Sequence, residues 1–286
     1  MNNKICSALI AATAVTGFFA QAQSASAATM ATPSINWDAA APKIMSQKET
    51  GFNHSVFQKY VQKESLELED IKSKKVNLDM LKLYDEYNVD VFFINEGAGY
   101  RNQLGYEAIK GDKVQSGVLF KDISSAEAIG NWGGDALDLG DGVNIGKLAS
   151  GTQLDFWLRA DGLNRGKRSN VFGLRTGDNI DGLQHGVGYG IGDFLLLGLE
   201  DLYGGLWAKG QDAKTGKWNE NSDRDFNDVV VAVKLGEKNI RRLVKESNSV
   251  RSASTPEPTA ALPMVVIGGF GLMGLRRRKA AAIALQ

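Results

Sequence analysis

The sequence predicts a mainly β protein, a β-sandwich of jelly-roll type, with a short N-terminal helical region and a single C-terminal transmembrane helix. Three observations predict it. Short runs rich in Val, Ile, Leu and Phe recur between residues 89 and 236, bounded by Gly, Asp or Asn; many short strands joined by turns give this pattern. Glycine is common, at 33 of 286 residues, and proline is scarce, at 5, so glycine turns join the runs. In Thr152-Gln153-Leu154-Asp155-Phe156-Trp157-Leu158 the alternation points Leu154, Phe156 and Leu158 to one core.

Taken in order, the chain divides into a signal peptide (1–27), a leader and helical region (28–88), the sandwich (89–236), a linker (237–255) and a tail (256–286). The signal has Lys4, an apolar run from Ile5 to Ala20, and a small-residue stretch in which Ala25-x-Ala27 fits a signal-peptidase site. The apolar run is shorter than the ~20 residues that a spanning helix needs. Residues 29–51 show no period and read as a mobile leader. Val56, Phe57, Tyr60 and Val61 share one helical face, and Leu78, Leu81 and Tyr84 mark a second short helix. The charged stretch from Lys63 to Lys75 between them reads as solvated.

Strands are expected at Val89–Ile94, Gly117–Ile123, Gln153–Leu158, Val171–Leu174, Phe194–Leu199 and Val229–Leu235. Residues 237–255 are polar and serine-rich, the composition of a linker.

The tail begins with Pro256-Glu257-Pro258. An apolar stretch from Thr259 to Leu275 follows, then Arg276-Arg277-Arg278-Lys279. The stretch is a marginal membrane span, and the basic cluster holds its end on the cytoplasmic side. This order resembles the PEP-CTERM sorting signal of Gram-negative bacteria, with Pro256, Glu257, Pro258, Arg276, Arg277 and Arg278 carrying the match. The resemblance implies recognition by an exosortase-type membrane protease, cleavage near Pro-Glu-Pro, and release to the cell surface or the exopolysaccharide matrix. Ala280 to Gln286 extend past the basic cluster, further than is usual for such tails.

The sharpest internal feature is Asp223-Arg224-Asp225-Phe226-Asn227-Asp228, which runs into Val229-Val230-Val231-Ala232-Val233. Asp223, Asp225 and Asn227 alternate, so their oxygens converge if the loop curls. Ca²⁺ takes six to eight such oxygens. The loop is not an EF-hand, since Asp228 stands where that motif needs glycine and no glutamate closes it. Glu200 and Asp201 add carboxylates if their strand pairs with the one after Asp228. A solvated, strand-capping turn has a similar composition.

Three stretches together resemble the secreted-bacterial family called domain of unknown function four-one-one-four. They are Val91-Phe92-Phe93-Ile94-Asn95-Glu96-Gly97-Ala98-Gly99-Tyr100-Arg101-Asn102-Gln103-Leu104-Gly105-Tyr106, Leu195-Leu196-Leu197-Gly198-Leu199-Glu200-Asp201-Leu202, and Asp223 through Val230. The resemblance covers residues 89–236 and implies a β-sandwich-like fold and an acidic site. That family's activity is not established. In its pattern only a few glycines separate the second and third stretches. Here Tyr203 to Ser222 intervene, with Tyr203, Trp207 and Trp218. Loop aromatics of this kind can stack on sugar rings or pack on the sandwich edge, and the insertion can spread the acidic ligands apart.

Other chemistry is sparse. The single cysteine, Cys6, lies in the signal, so the body has no disulfide or thiol chemistry. His54 and His185 lie in different regions, which argues against zinc. His185 opens His185-Gly186-Val187-Gly188-Tyr189-Gly190-Ile191-Gly192 and reads as a turn residue; no βαβ context supports a nucleotide cradle there. No G-x-S-x-G is present. The chain balances 33 basic against 33 acidic residues, but four of the basic ones lie in the tail, so the body is mildly acidic. That argues against a nucleic-acid partner.

The expectation is therefore an exported, non-enzymatic surface or matrix protein with structural calcium and no catalytic residues. Its partners are signal peptidase, an exosortase-type protease and exopolysaccharide. Three alternatives stand beside it: a carbohydrate-binding module using Tyr203, Trp207 and Trp218, a glycan-cleaving enzyme using Glu200 and Asp225, and a permanently anchored membrane protein.

Overall fold

The computed structural model describes residues 32–61, 73–128 and 134–254. Ten strands form two antiparallel sheets: β1 (Lys75–Val76), β2 (Tyr87–Asn95), β3 (Asn102–Lys110), β4 (Lys113–Ile123), β5 (Gly142–Leu148), β6 (Gln153–Arg159), β7 (Val171–Gly173), β8 (Gly186–Ile191), β9 (Phe194–Leu199) and β10 (Val229–Lys234). One sheet runs β1-β8-β9-β10-β2-β5 and the other β4-β3-β6-β7. The two share one core, so the fold is a β-sandwich. Val91 and Phe93 of β2, Leu195 and Leu197 of β9, and Val231 and Val233 of β10 meet Leu104 of β3 with Leu154, Phe156 and Leu158 of β6. The inward set expected on β6 is correct. Each such side chain stabilises the fold by ~1.5–3 kcal/mol through burial.

Alternation is blurred elsewhere because the six-stranded sheet is covered on both faces. Phe92, Ile94, Leu196, Val230 and Ala232 point outward, under Phe52, Phe57 and Val61. A strand buried on both sides reads as a continuous apolar run, as Val91-Phe92-Phe93-Ile94 and Val229–Val233 do.

The described part of the leader is thus structural, which corrects the mobile reading of residues 32–51. Ile35 and Trp37 pack with Trp157 on the outside of the smaller sheet. The Ser34 N–H donates to Glu107 Oε1 at 2.6 Å. Met45 pairs with Gly142. Helix α1 (Gln47–Thr50) carries a capping box between Ser46 and Glu49. The expected first helix shrinks to the single turn α2 (Ser55–Gln58), which buries Phe57 and leaves Val56 exposed. The second becomes one 3₁₀ turn, Leu78–Met80; Leu81 is buried by pairing of the next residue, Lys82, with Gln153.

A larger correction falls on the linker. After the single-turn helix α3 (Gly162–Arg165), residues Glu237–Ser254 form helix α4, which packs on β1, β8 and β9. Ile240 and Leu243 are buried. Asn239 pins the helix: its Oδ1 accepts the Tyr84 and Asp85 N–H groups, at 2.8 and 2.9 Å. Gly190 of β8 makes room for this contact, while Gly186 and Gly188 make room for Leu174 and Leu78. A Cβ on Gly190 would stand 2.6 Å from Val244 Cγ2 and 2.7 Å from Ile240 Cγ2, so only glycine lets α4 approach the sheet so closely.

Among the described residues no helix is long and apolar enough to cross a membrane. The signal peptide, Pro256-Glu257-Pro258, the apolar stretch and Arg276, Arg277 and Arg278 lie outside the described residues.

Candidate metal centre

β9 and β10 pair antiparallel with Leu199 opposite Val229. Glu200 and Asp201 leave the end of β9 where Asp228 enters β10, so register alone brings these carboxylates together. The preceding loop is curled by two left-handed residues, Arg224 (φ 59°) and Phe226 (φ 61°). Each costs ~1–2 kcal/mol for a residue with a Cβ. Phe226 is anchored in the outer apolar cluster, and the Arg224 guanidinium lies 5.3 Å from its ring centroid. The curl carries Asp223 and Asp225 to Glu200.

Two groups of carboxylates result. Glu200, Asp201 and Asp228 form one, and Glu200, Asp223 and Asp225 the other; within each, one oxygen per residue lies within 4.8 Å of the rest. Glu200, Asp201, Asp225, Asn227 and Asp228 are buried, and Asp223 is half-buried. The structure therefore brings together all six predicted ligands around a buried acidic cluster able to hold a metal ion.

Hydrogen bonds fix the set. The Asp201 N–H donates to Asp228 Oδ2 at 2.8 Å, and Asn102 Nδ2 donates to Asp201 Oδ2 at 2.6 Å. The Asn227 N–H and Nδ2 donate to the two Asp225 oxygens, at 3.1 and 2.7 Å. The Leu202 N–H donates to Glu200 Oε1 at 3.3 Å. Among the proposed ligands two buried oxygens have no hydrogen-bond partner, Glu200 Oε2 and Asn227 Oδ1, and Arg224 Nη1 in the same loop has none either. Leaving such an atom unmet costs about 1–3 kcal/mol.

Burial pushes the carboxyls of this cluster up. Asp201 rises to about 8, with its Asn102 bond opposing and the Glu200 charge adding. Burial raises Asp228 well above the usual carboxylate range, reinforced by Asp201 and Glu200. Burial also raises Glu200, against a Ser222 hydrogen bond and the Arg224 and His185 charges. Packed carboxylates out of water must either take up protons or hold a cation. The donors are all oxygen, the set that hard cations select.

Sequence reasoning missed three supports. His185, read from the sequence as a turn residue, is fully buried. Its ring contacts the Glu200 carbonyl through Nδ1 and Asp181 Oδ2 through Nε2, both at 2.9 Å. Burial works to raise Asp181, but the His185 bond and charge, with the Leu183 and Gly204 N–H groups, hold it near 2. Asn102 orients Asp201, and its Oδ1 accepts the Asp161 N–H at 2.9 Å. Gly97 leaves room for Asn227, whose Oδ1 lies 2.6 Å from where a Cβ would stand. The only signal for these was position: Gly97 and Asn102 fall between Val91 and Tyr106, and His185 just before β8.

Compared with known protein families, with curated proteins and with solved structures, the chain matches none of them.

The 203–222 insertion does not spread the ligands. It closes on itself: the Tyr203 N–H donates to Glu220 Oε2 at 2.7 Å, the Glu220 N–H donates to the Tyr203 carbonyl at 2.9 Å, and the Trp207 N–H donates to the Ser222 carbonyl at 2.7 Å. Tyr203 is not an exposed loop aromatic. It is buried with Ala160 and Phe172, and its hydroxyl hydrogen-bonds Thr215. Trp207 and Trp218 are exposed, at 55% and 68%.

Proposed function

We propose that this chain is an exported, non-enzymatic protein of the cell surface or exopolysaccharide matrix, built on a jelly-roll-like sandwich that calcium stabilises. The observation that carries the reading is the buried cluster of Glu200, Asp201, Asp223, Asp225, Asn227 and Asp228, with unmet oxygens on Glu200 and Asn227. Ca²⁺ suits this all-oxygen set better than Mg²⁺, which keeps several waters and demands near-octahedral geometry. Zinc finds no partner for its preferred ligands, since the body lacks cysteine and His185 is engaged with Asp181 and Glu200. Export by signal peptidase and release by an exosortase-type protease rest on the two ends of the sequence.

Thermal melting in calcium and in chelator tests the metal. A cation at a thousandfold excess over its Kd stabilises the folded state by about 4 kcal/mol. Equal melting temperatures remove the calcium reading. Intact mass of the surface-exposed form tests the export route: a product that keeps Leu275 and the arginines is anchored rather than released.

A second reading has its own support. Trp207 and Trp218 stand exposed on one insertion, as in a carbohydrate-binding module that stacks sugar rings on indoles.

A further inference from the structure

We propose that the acidic centre is dinuclear, with the Glu200 carboxylate bridging two hard divalent cations. This deepens the calcium reading above and rests on it. The carboxylate oxygens do not gather around one point. They form two triads whose only common member is Glu200: one with Asp201 and Asp228, the other with Asp223 and Asp225. Calcium holds oxygens at 2.3–2.6 Å, so two ligands of one ion lie at most about 5 Å apart. Each triad, with its oxygens within 4.8 Å of one another, is sized for one ion.

The bridging residue has the capacity the role requires. Glu200 is fully buried. Beside the Ser222 hydrogen bond to the carboxyl, its Oε1 takes a long bond from the Leu202 N–H, at 3.3 Å, and its Oε2 has no partner. A fully buried carboxylate oxygen without a donor is costly unless it takes up a proton or faces a cation. Asn227 adds a second unmet oxygen: its Nδ2 is fixed on Asp225, 2.7 Å away, while its Oδ1 is buried and unpartnered. That atom can complete the shell of the Asp223–Asp225 ion without adding charge.

Charge points the same way. Five carboxylates contribute to the two triads, and the fixed cation that acts on Glu200 from within the protein is Arg224. One divalent ion leaves a buried excess of negative charge. Two bring the centre close to neutrality, which a buried site requires.

Equilibrium dialysis of the full chain against radioactive calcium decides the matter. The expected result is two ions per wild-type chain and one per chain of the double variant Asp223→Asn with Asp225→Asn. A wild-type ratio of one overturns the dinuclear proposal and leaves the calcium reading standing. A ratio of zero overturns both. A double variant that still binds two ions also overturns the proposal, because its second triad is then not a site. Near-UV circular dichroism reports whether the double variant is folded; if it is not, the wild-type ratio alone separates two ions from one.

Discussion

The imidazole ring of His185 lies flat on the Phe172 ring, with 3.7 Å between centroids and 5° between planes. The stack ties the smaller sheet, through β7, to the residue that holds the Glu200 carbonyl at the end of β9. His185→Ala loses two buried hydrogen bonds and the stack, and leaves Asp181 with only its Leu183 and Gly204 N–H donors. Stability is expected to fall by about 2–3 kcal/mol, and calcium affinity with it. Urea denaturation in chelator measures the first and calorimetric titration the second. A loss under about 0.5 kcal/mol, the range of an inert surface change, contradicts this role.

Gly97 gives a test of the site that leaves every carboxylate in place. In Gly97→Ala the new Cβ collides with the Asn227 amide. The side-chain Nδ2 of that amide donates to Asp225 Oδ2 and the Asn227 backbone N–H to Asp225 Oδ1, so the displacement passes to a ligand. Calcium binding is expected to weaken about tenfold, equivalent to about 1.4 kcal/mol. Titration calorimetry checks it; unchanged affinity means that Asn227 does not position the ion.

How much of this was legible in the sequence depends on where the signal lies. The strand runs were visible because burial on both faces makes Val91–Ile94 and Val229–Val233 continuously apolar. β3 was missed because Asn102, Gln103 and Glu107 are buried polar residues that break its apolar pattern. β5 and β8 were missed because glycine interrupts them, and glycine reads as a turn until the packed α4 is seen above Gly190. α4 was mistaken for a linker because its apolar stripe is narrow, with Ile240 and Leu243 set among serines and charges. The acidic ligands were legible, since strand register brings Asp228 to Glu200. His185 and Asn102 were not, because they reach the site from β8 and β3 across the fold.

The α4 helix carries a prediction of its own. Leu243 is 1% exposed and joins the main core. Leu243→Ala is expected to cost about 2–5 kcal/mol, where a change in a true linker would cost almost nothing. Chemical denaturation distinguishes the two. The exposed neighbour Arg241, paired with Glu237 at the surface, is expected to tolerate Ala within about 0.5 kcal/mol.

Trp207→Ala with Trp218→Ala tests the carbohydrate reading. Both side chains are more than half exposed, so melting is expected to stay within about 1 °C of wild type. Retention on immobilised exopolysaccharide is expected to fall at least tenfold, in line with about 1–3 kcal/mol for each lost stacking platform on a flat ring. Unchanged retention leaves the indoles without a glycan role.

Stability against pH gives the last prediction, and its sign follows from burial. Asp201 stands near 8 and Asp228 well above its usual value, while an unfolded aspartate titrates near 4. Between those values the folded chain holds more protons than the unfolded chain, so stability in chelator falls as pH rises from 5 to 8. Calcium reverses the contribution of the cluster, because the ion replaces those protons and binds more tightly as they leave. The melting-temperature gain from calcium is therefore expected to grow from pH 5 to pH 8. Glu96, raised by burial to about 8 and bonded by the Ser125 N–H, lies outside both triads. It adds a downward slope that calcium does not remove and that Glu96→Gln does. Asp181, held near 2, works in the opposite sense: its stabilisation is complete above about 4 and is lost only as pH falls toward 2, below the window tested. A calcium gain equal at pH 5 and pH 8 would falsify the assignment of Asp201 and Asp228 as ligands that exchange protons for metal.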